Sequence, residues 1–389
     1  MNEINPRFSH LQEYRRAVRE LCLQFDSKYW QGIEECAAYP EAFVKALTAA
    51  GWLAVLIPEQ YGGGGLRLEE AAIILEEINR SGANAGACHA QMYIMGTLLR
   101  HGSEEQKQTY LPAIASGKLR LQSFAVTEPT TGTDTTKTQT LAVRKGDRYV
   151  VNGQKIWISR MQHSDLMLLL ARTTPLAEVR QKTDGLSIFL VDLRNAEKSG
   201  LSVRPIRNMV NHETNEVFFD NFEIPVRNLI GEEGNGFRYI LDGMNAERIL
   251  IAAECVGDGF WFIEKARNYA TERIVFDRPI GQNQGIQFPI VQAYARVRAA
   301  DLMRSEAARL FDAGQPCGPE ANLAKLLAAE ASWDAANVCL QTFGGFGFAT
   351  EYDVERKFRE TRLYQVAPVS TNLILAYIGE HVLGMPRSF

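Results

Sequence analysis

The spacing of apolar residues changes twice along this chain, and those two changes restrict its possible folds more than any other feature. From residue 1 to about 120 the pattern is helical: Phe43, Leu47 and Trp52, then Ala71, Ile74, Leu75 and Ile78, fall mostly three or four apart. Gly62 to Gly65 interrupt it, and Ser81-Gly82 closes the second stretch. After Leu121 short β-rich runs take over, at 166–170, 186–191, 201–206 and 217–222, with Pro225 closing the last. Asn152-Gly153, between Tyr149-Val150-Val151 and Ile156-Trp157-Ile158, predicts a hairpin turn. The Thr-rich stretch 127–140 reads as loop. From about Gly236 the helical period returns, with Ile240, Met244, Ile251 and Cys255 on one stripe and Phe262, Ala266 and Tyr269 on a neighbouring one. Further helices are expected at about 289–313, 319–340 and 371–383. Strands without helices between them imply an antiparallel sheet or barrel, and the long helices imply an antiparallel bundle. The expected fold is therefore α+β: an N-terminal helical domain over 1–121, a central antiparallel β-barrel or sheet domain over 122–232, and a C-terminal antiparallel helical bundle over 233–389.

A chain of 389 residues is long enough for two or three domains. Its net charge of −4 supplies no basic field, so nucleic acid is not an expected partner. The apolar runs 52–57 and 166–171 are too short to span a bilayer. Glu3, Glu13 and Glu20 fall where a signal peptide needs an uncharged core. A cytoplasmic location is expected, and a mature mitochondrial-matrix protein would read the same way. Cys22, Cys36, Cys88, Cys255, Cys317 and Cys339 are scattered, and the histidines do not cluster. No metal site and no disulfide framework is expected, so redox chemistry would need an organic cofactor.

Four segments carry chemical content: Ala125-Val126-Thr127-Glu128-Pro129-Thr130-Thr131-Gly132-Thr133-Asp134; Lys155-Ile156-Trp157-Ile158-Ser159; Glu272-Arg273-Ile274-Val275-Phe276 continuing to Gly281-Gln282-Asn283-Gln284; and Gln341-Thr342-Phe343-Gly344-Gly345-Phe346-Gly347-Phe348. Hydroxyls and amides in the first suit the polar edge of a flavin, although such runs are more often ordinary turns. Trp157 offers a flat apolar face, and alternation along a strand puts Ser159 on the same side. Arg273 has the planar fork that bonds two phosphate oxygens. Gly344 and Gly345 let backbone approach a phosphate, without the strand–turn–helix surroundings of a Rossmann motif.

In order and content these segments resemble the acyl-CoA dehydrogenase family over nearly the whole chain. The resemblance implies FAD as cofactor, an acyl-CoA substrate, electron-transfer flavoprotein as acceptor, and a homotetramer built as a dimer of dimers. It also implies roles for single residues. Val126, Thr127, Trp157 and Ser159 would meet the flavin, with Ser159 at N5, and Ser370 and Asn372 would add contacts. Arg273, Phe276, Gln284, Gln341, Gly344 and Gly345 would grip the pyrophosphate and adenosine, from a neighbouring subunit. Thr133, Met244, Asn245 and Arg248 would face the substrate.

The reaction removes a proton alpha to a thioester while hydride leaves the beta carbon, which needs a carboxylate in a dry pocket. Many family members keep that Glu shortly after an Arg-Asp-x-Arg-like segment; here Arg359-Glu360-Thr361-Arg362 leads to Pro368 at that place. Other members carry the base on the long helix before an arginine, and Glu247-Arg248 stands there. Glu247 lies three residues after Met244 and four before Ile251, on their apolar stripe. Glu254, seven residues on, is the reserve candidate. Proline also lacks the N–H that the family uses to hold the thioester oxyanion, a donor worth roughly 2.7–4 kcal/mol. Ser370, Thr371 or a shifted loop is left to replace it. A flavin oxidase or monooxygenase on the same fold, and a catalytically silent flavin- or CoA-binding protein, are the alternative readings.

Overall fold

The computed structural model describes residues 11–194, 196 and 200–388. Helices come first: α1 (Gln12–Cys22), α2 (Ser27–Glu35), α3 (Glu41–Ala49), α4 (Leu68–Arg80), α5 (Gly86–His101) and α6 (Glu104–Ala115). Strands follow: β1 (Leu121–Ala125), β2 (Leu141–Lys145), β3 (Arg148–Ser159), β4 (Leu166–Arg172), β5 (Leu186–Asp192), β6 (Leu201–Pro205), β7 (Thr214–Pro225) and β8 (Leu229–Ile230). The chain then runs through α7 (Gly236–Glu272), the two-residue strands β9 (Ile274–Val275) and β10 (Arg278–Pro279), α8 (Gln284–Asp312), α9 (Gly318–Phe343), α10 (Val354–Leu363) and α11 (Thr371–Tyr377). The succession of helices, sheet and helices is the one the apolar periods imply. By contacts the chain forms two compact units: Met1–Cys36 with Arg67–Ala85 and Asn245–Phe389, and Ala37–Leu66 with Gly86–Met244.

The second unit is built on one sheet in the order β6-β7-β3-β2-β4-β5-β8, with β1 also on β4. Every residue of β4 is buried, because it is covered on both faces. Leu166, Leu168 and Leu170 pack with Ile94, Met95 and Leu98 of α5 and Leu111 and Ile114 of α6. Met167, Leu169 and Ala171 point the other way, into a cluster with Tyr149, Val151, Phe189, Val217 and Phe219. Burying each larger side chain contributes about 1.5–3 kcal/mol before the entropy of ordering it.

Of the expected antiparallel barrel or sheet, the structure takes the sheet, with one departure from antiparallel pairing. The sheet is open, and β4 pairs in parallel with β1 and with β2, a pairing made possible by the long connections that lead into β4. The expected hairpin at Asn152-Gly153 is absent as well. The β2–β3 turn sits at Gly146 (φ 63°), and β3 runs straight through 152–153. There the register against β7 slips, so that Asp220 and Asn221 oppose Asn152. Asn152 Oδ1 accepts from the Asn221 N–H at 2.8 Å, and a Cβ on Gly153 would sit 2.6 Å from Thr140 Oγ1. The Asn-Gly pair serves a bulge, not a turn.

In the first unit α7 is approached where it carries glycine: a Cβ on Gly257 would lie 2.3 Å from the Glu76 carbonyl of α4, and one on Gly259 2.6 Å from Val297 of α8. α8 and α10 both pack on α9. Buried Glu76 and Glu77 bind Arg15 at 2.7 and 2.6 Å. Asp312 accepts from the free Leu68 and Glu69 N–H groups at 2.9 and 3.0 Å, capping α4 from outside its own sequence. α10, at 354–363, was not expected from the apolar period. α8 starts five residues before its expected 289 because the Asn283 carbonyl accepts from Ile286 and Gln287. Among the described residues no helix is long and apolar enough to cross a membrane, and no group of His, Cys, Asp or Glu is placed to hold a metal. No disulfide forms among them; Cys36 is exposed and the other five thiols are buried.

Candidate active site

The residues singled out in the sequence fall into three groups, each within one unit except for Met244, the last residue of the second unit. The first joins β3 to the loop after β1. β3 holds a second bulge: Lys155 pairs with Val217 and Ile158 with Asn215, so Ile156 and Trp157 together oppose Glu216. Trp157 takes φ 61° and is 56% exposed, leaving a large ring uncovered. The alternation that was to place Ser159 beside it is interrupted here, so strand period does not support their shared face. Ser159 Oγ accepts from Asn211 Nδ2 at 2.8 Å, and its own proton is left to donate. Asn211 is locked in turn by Thr214, whose hydroxyl donates to the Asn211 carbonyl at 2.6 Å.

Sequence reasoning missed the residue that ties this group together. Lys155 is wholly buried; its ammonium donates to the Val126 carbonyl at 2.8 Å and to Glu128 Oε1 at 2.9 Å. Glu128 also accepts from the Gln139 and Thr140 N–H groups at 2.7 and 2.9 Å. Ile156 N donates to the Thr127 carbonyl at 2.9 Å. Val126 and Thr127 are thus clamped to β3, whereas Thr133 lies exposed beyond the clamp. Burial works to raise the Glu128 carboxyl, but Lys155 and the Gln139 amide outweigh it and hold it below the ordinary range. Burial brings Lys155 down to about 8, against the pull of Glu128.

The pH consequence follows by linkage. Between about 8 and the ordinary 10.5 of lysine, the unfolded chain holds a proton that the folded one has released. This group therefore adds stability as pH climbs through that window, up to about 3 kcal/mol. Chemical denaturation at pH 8 and 10.5 should show wild type gaining on Lys155→Met, and parallel curves would contradict it. The same variant should bind FAD about tenfold more weakly, read by flavin fluorescence.

The second group lies on α7 and before α11. Glu247 is buried, 5% exposed, in a helix whose neighbouring Ile249, Leu250 and Ile251 are buried too. Arg248 is half-buried, and its Nη1 donates to Asn245 Oδ1 at 3.2 Å. Burial pushes the Arg248 guanidinium below its ordinary value, with Glu247 pulling the other way. Met244 and Asn245 are half-buried. Glu254 is 1% exposed, and its Oε2 accepts the Tyr364 hydroxyl at 2.8 Å, while Asn79 Nδ2 reaches the Glu254 carbonyl at 3.3 Å. That carboxylate is tied into the packing. Pro368 leads through Val369 to Ser370, the N-cap of α11, whose Oγ accepts from Leu373 N; Asn372 is exposed on the first turn. The Thr371 N–H and hydroxyl both donate to the Gln365 carbonyl at 3.2 Å, which removes Thr371 as a replacement for the N–H that proline lacks.

The third group surrounds a cleft of about 440 Å³ lined by Tyr269, Arg273, Thr342, Gly344, Gly345 and Phe346 among others. The Arg273 guanidinium lies over the Phe346 ring, 5.5 Å from its centre. Nothing lies within 4 Å of the Cβ positions of Gly344 and Gly345, so the backbone there is open to a ligand. Phe276 and Asp277 form the tip of the β9–β10 hairpin with φ 51° and 63°, as a two-residue hairpin turn requires, and Phe276 stands 94% exposed. Gln284 and Gln341 are exposed and do not line the cleft. An open glycine pair, an arginine and an aromatic wall fit the phosphates and adenine of a flavin dinucleotide; uncovered Trp157 and the donor Ser159 fit its ring system.

With this geometry in hand the known relatives are informative. Family models for the N-terminal, middle and C-terminal domains of acyl-CoA dehydrogenase match residues 9–118, 123–222 and 234–383. The chain belongs to the acyl-CoA dehydrogenase family, and is an oxidoreductase of that FAD-dependent class. An acyl-CoA dehydrogenase of Bacillus subtilis (strain 168) is 34% identical over 373 residues, covering 95% of this chain and 97% of that protein. The glutaryl-coenzyme A dehydrogenase complex with glutaryl-CoA is 30% identical with a TM-score of 0.91, covering 100% of this chain and 98% of that one. A prolyl acyl carrier protein oxidase is 26% identical with a TM-score of 0.85, covering 97% and 99%.

Proposed function

We propose that this protein removes the α and β hydrogens of an acyl-CoA thioester, with Glu247 taking the α proton as a general base. The observation that carries the reading is a carboxylate 5% exposed on α7, at the place where family members without the later Glu keep their base. FAD, when bound, supplies the acceptor for the β hydride. The chain's own residues would do the rest. Arg248 and Asn245 orient the thioester side of the substrate, with Met244 and Thr133 along its path. Ser159 would donate a hydrogen bond towards the flavin N5, and Trp157 would cover a ring face. Val126, held by Lys155, and Thr127, held by the Ile156 amide, would present the loop to the pyrimidine edge, and Ser370 and Asn372 would add contacts. With Pro368 lacking an N–H and Thr371 engaged, the Ser370 amide or a shifted loop is left to hold the thioester oxyanion. Electron-transfer flavoprotein as acceptor, a cytoplasmic location, the domains 1–121, 122–232 and 233–389, and a tetramer belong to the same proposal.

Anaerobic titration with a panel of acyl-CoA thioesters tests it: at least one member should bleach the flavin stoichiometrically, and no bleaching by any would favour a silent binding protein. The oxidase relative makes the acceptor worth measuring as well. Hydrogen peroxide formed at turnover rates would replace the dehydrogenase reading with an oxidase. In the tetramer Arg273, Phe276, Gln284, Gln341, Gly344 and Gly345 would serve FAD across a subunit boundary. Arg273→Ala is expected to weaken FAD binding about 10- to 100-fold, the scale of charge-assisted hydrogen bonds. Full flavin content after gel filtration would count against that role.

A further inference from the structure

We infer that Lys325 is a positioning residue: it fixes the segment from Tyr364 to Ser370 and sustains the negative charge of Glu247. The inference rests on Glu247 being the base. Lys325 sits within α9, fully buried. Its ammonium donates to the Tyr364 carbonyl and, at 2.9 Å, to the Val369 carbonyl. Among the described residues no carboxylate comes within 4.0 Å of it. An ammonium buried without an ion-pair partner is costly, so its place calls for a reason beyond packing.

Two features supply one. Its acceptors bracket residues 365–368, and Val369 takes φ 59°, a backbone region that a β-branched residue occupies only under strain. Thr371 also ties back across it to the Gln365 carbonyl. Lys325 therefore holds the chain that delivers Ser370 to the start of α11. The second feature is charge. Cys255, Arg248 and Glu247 are among the groups that act on Lys325, and Glu247, Tyr377 and Cys317 among those that act on Arg248. Burial drives the Cys255 thiol well above its ordinary value and keeps it neutral. Lys325 and Arg248 are thus two cations that interact with the Glu247 carboxylate. A base must be ionised before it accepts a proton, and burial alone works against that. The cations offset it.

The test is the pH dependence of flavin bleaching by acyl-CoA in single turnover, on full-length holoprotein, for wild type, Lys325→Met and Lys325→Arg. Removing the cation should move the acidic limb of the Met variant up by about one unit, a tenfold loss at pH 6 that largely recovers at high pH. Lys325→Arg should keep the wild-type limb. In the FAD-free protein, chymotryptic cleavage after Tyr364 should quicken in the Met variant only. An unmoved limb, or a fall equal at every pH, overturns the inference. So does failure of both variants to fold, since a packing lysine predicts that. Glu247→Gln run alongside separates the two readings: if it bleaches normally the base is wrong, whereas a dead Glu247→Gln with an unmoved Lys325→Met limb sinks only the role of Lys325.

Discussion

Glu247→Gln should keep its FAD and lose flavin reduction by about 10³- to 10⁴-fold. The amide matches the carboxylate in size and can be buried at the same place in α7, so the helix loses no packing. It cannot take a proton, and positioned general bases are worth up to about 10⁴ in rate. Rapid mixing with the best acyl-CoA, beside an absorbance spectrum for flavin content, separates loss of chemistry from loss of cofactor. Glu254→Gln should bleach at near wild-type rates, because that carboxylate is engaged by the Tyr364 hydroxyl at 2.8 Å. A reversed pattern in the two variants would transfer the base to Glu254.

Lys357→Met is expected to be the most damaging single change to stability, by about 3–5 kcal/mol. Lys357 is fully buried on α10, with its ammonium 2.5 Å from Asp258 and 3.0 Å from Glu360. It also donates to the Ala83 carbonyl at 3.1 Å. Burial raises the Asp258 carboxyl to about 7 even with Lys357 beside it. Without the lysine buried Asp258 loses its counter-charge, and half-buried Glu360 keeps Arg356, at 2.9 Å. The Asp258 carboxyl, already raised, must then rise further, so the deficit of the variant should shrink as pH falls from 8 towards 5. Urea denaturation at those two pH values measures both the loss and its sign. A loss under 1 kcal/mol, or one that grows at low pH, would contradict the buried-pair account.

The parts of the fold visible in the sequence are those where periodicity and burial agree. Ala71, Ile74, Leu75 and Ile78 all proved buried on α4, and the run 166–171 became a strand covered on both faces. Asn152-Gly153 was misread because a bulge and a turn ask for the same residues: a small one that tolerates unusual backbone, and a side chain that bonds main-chain amides. Only pairing with β2 and β7 on both sides tells them apart, and that information is not local. α10 was invisible because Arg356, Lys357 and Glu360 face inwards there, where an apolar period should be. Lys155 and Lys325 stayed hidden for the same reason, since a lysine is normally a surface residue and nothing nearby in sequence announces its acceptors. The Gly344-Gly345 pair and Arg273 could be picked out together because the chemistry proposed for them depends on residue type, and the structure lines one cleft with them.

The extra residue at Ile156-Trp157 has a consequence for any shortened version of β3. Deleting either position would bring the strand back into step with β7 and rotate everything after it by half a turn about the strand axis. Ile158, now 2% exposed, would turn to solvent, and the Ser159 hydroxyl would be driven in among Met167 and Leu169. The count of residues between Lys155 and Ser159 is therefore as much a determinant of the flavin contact proposed for Ser159 as their identity.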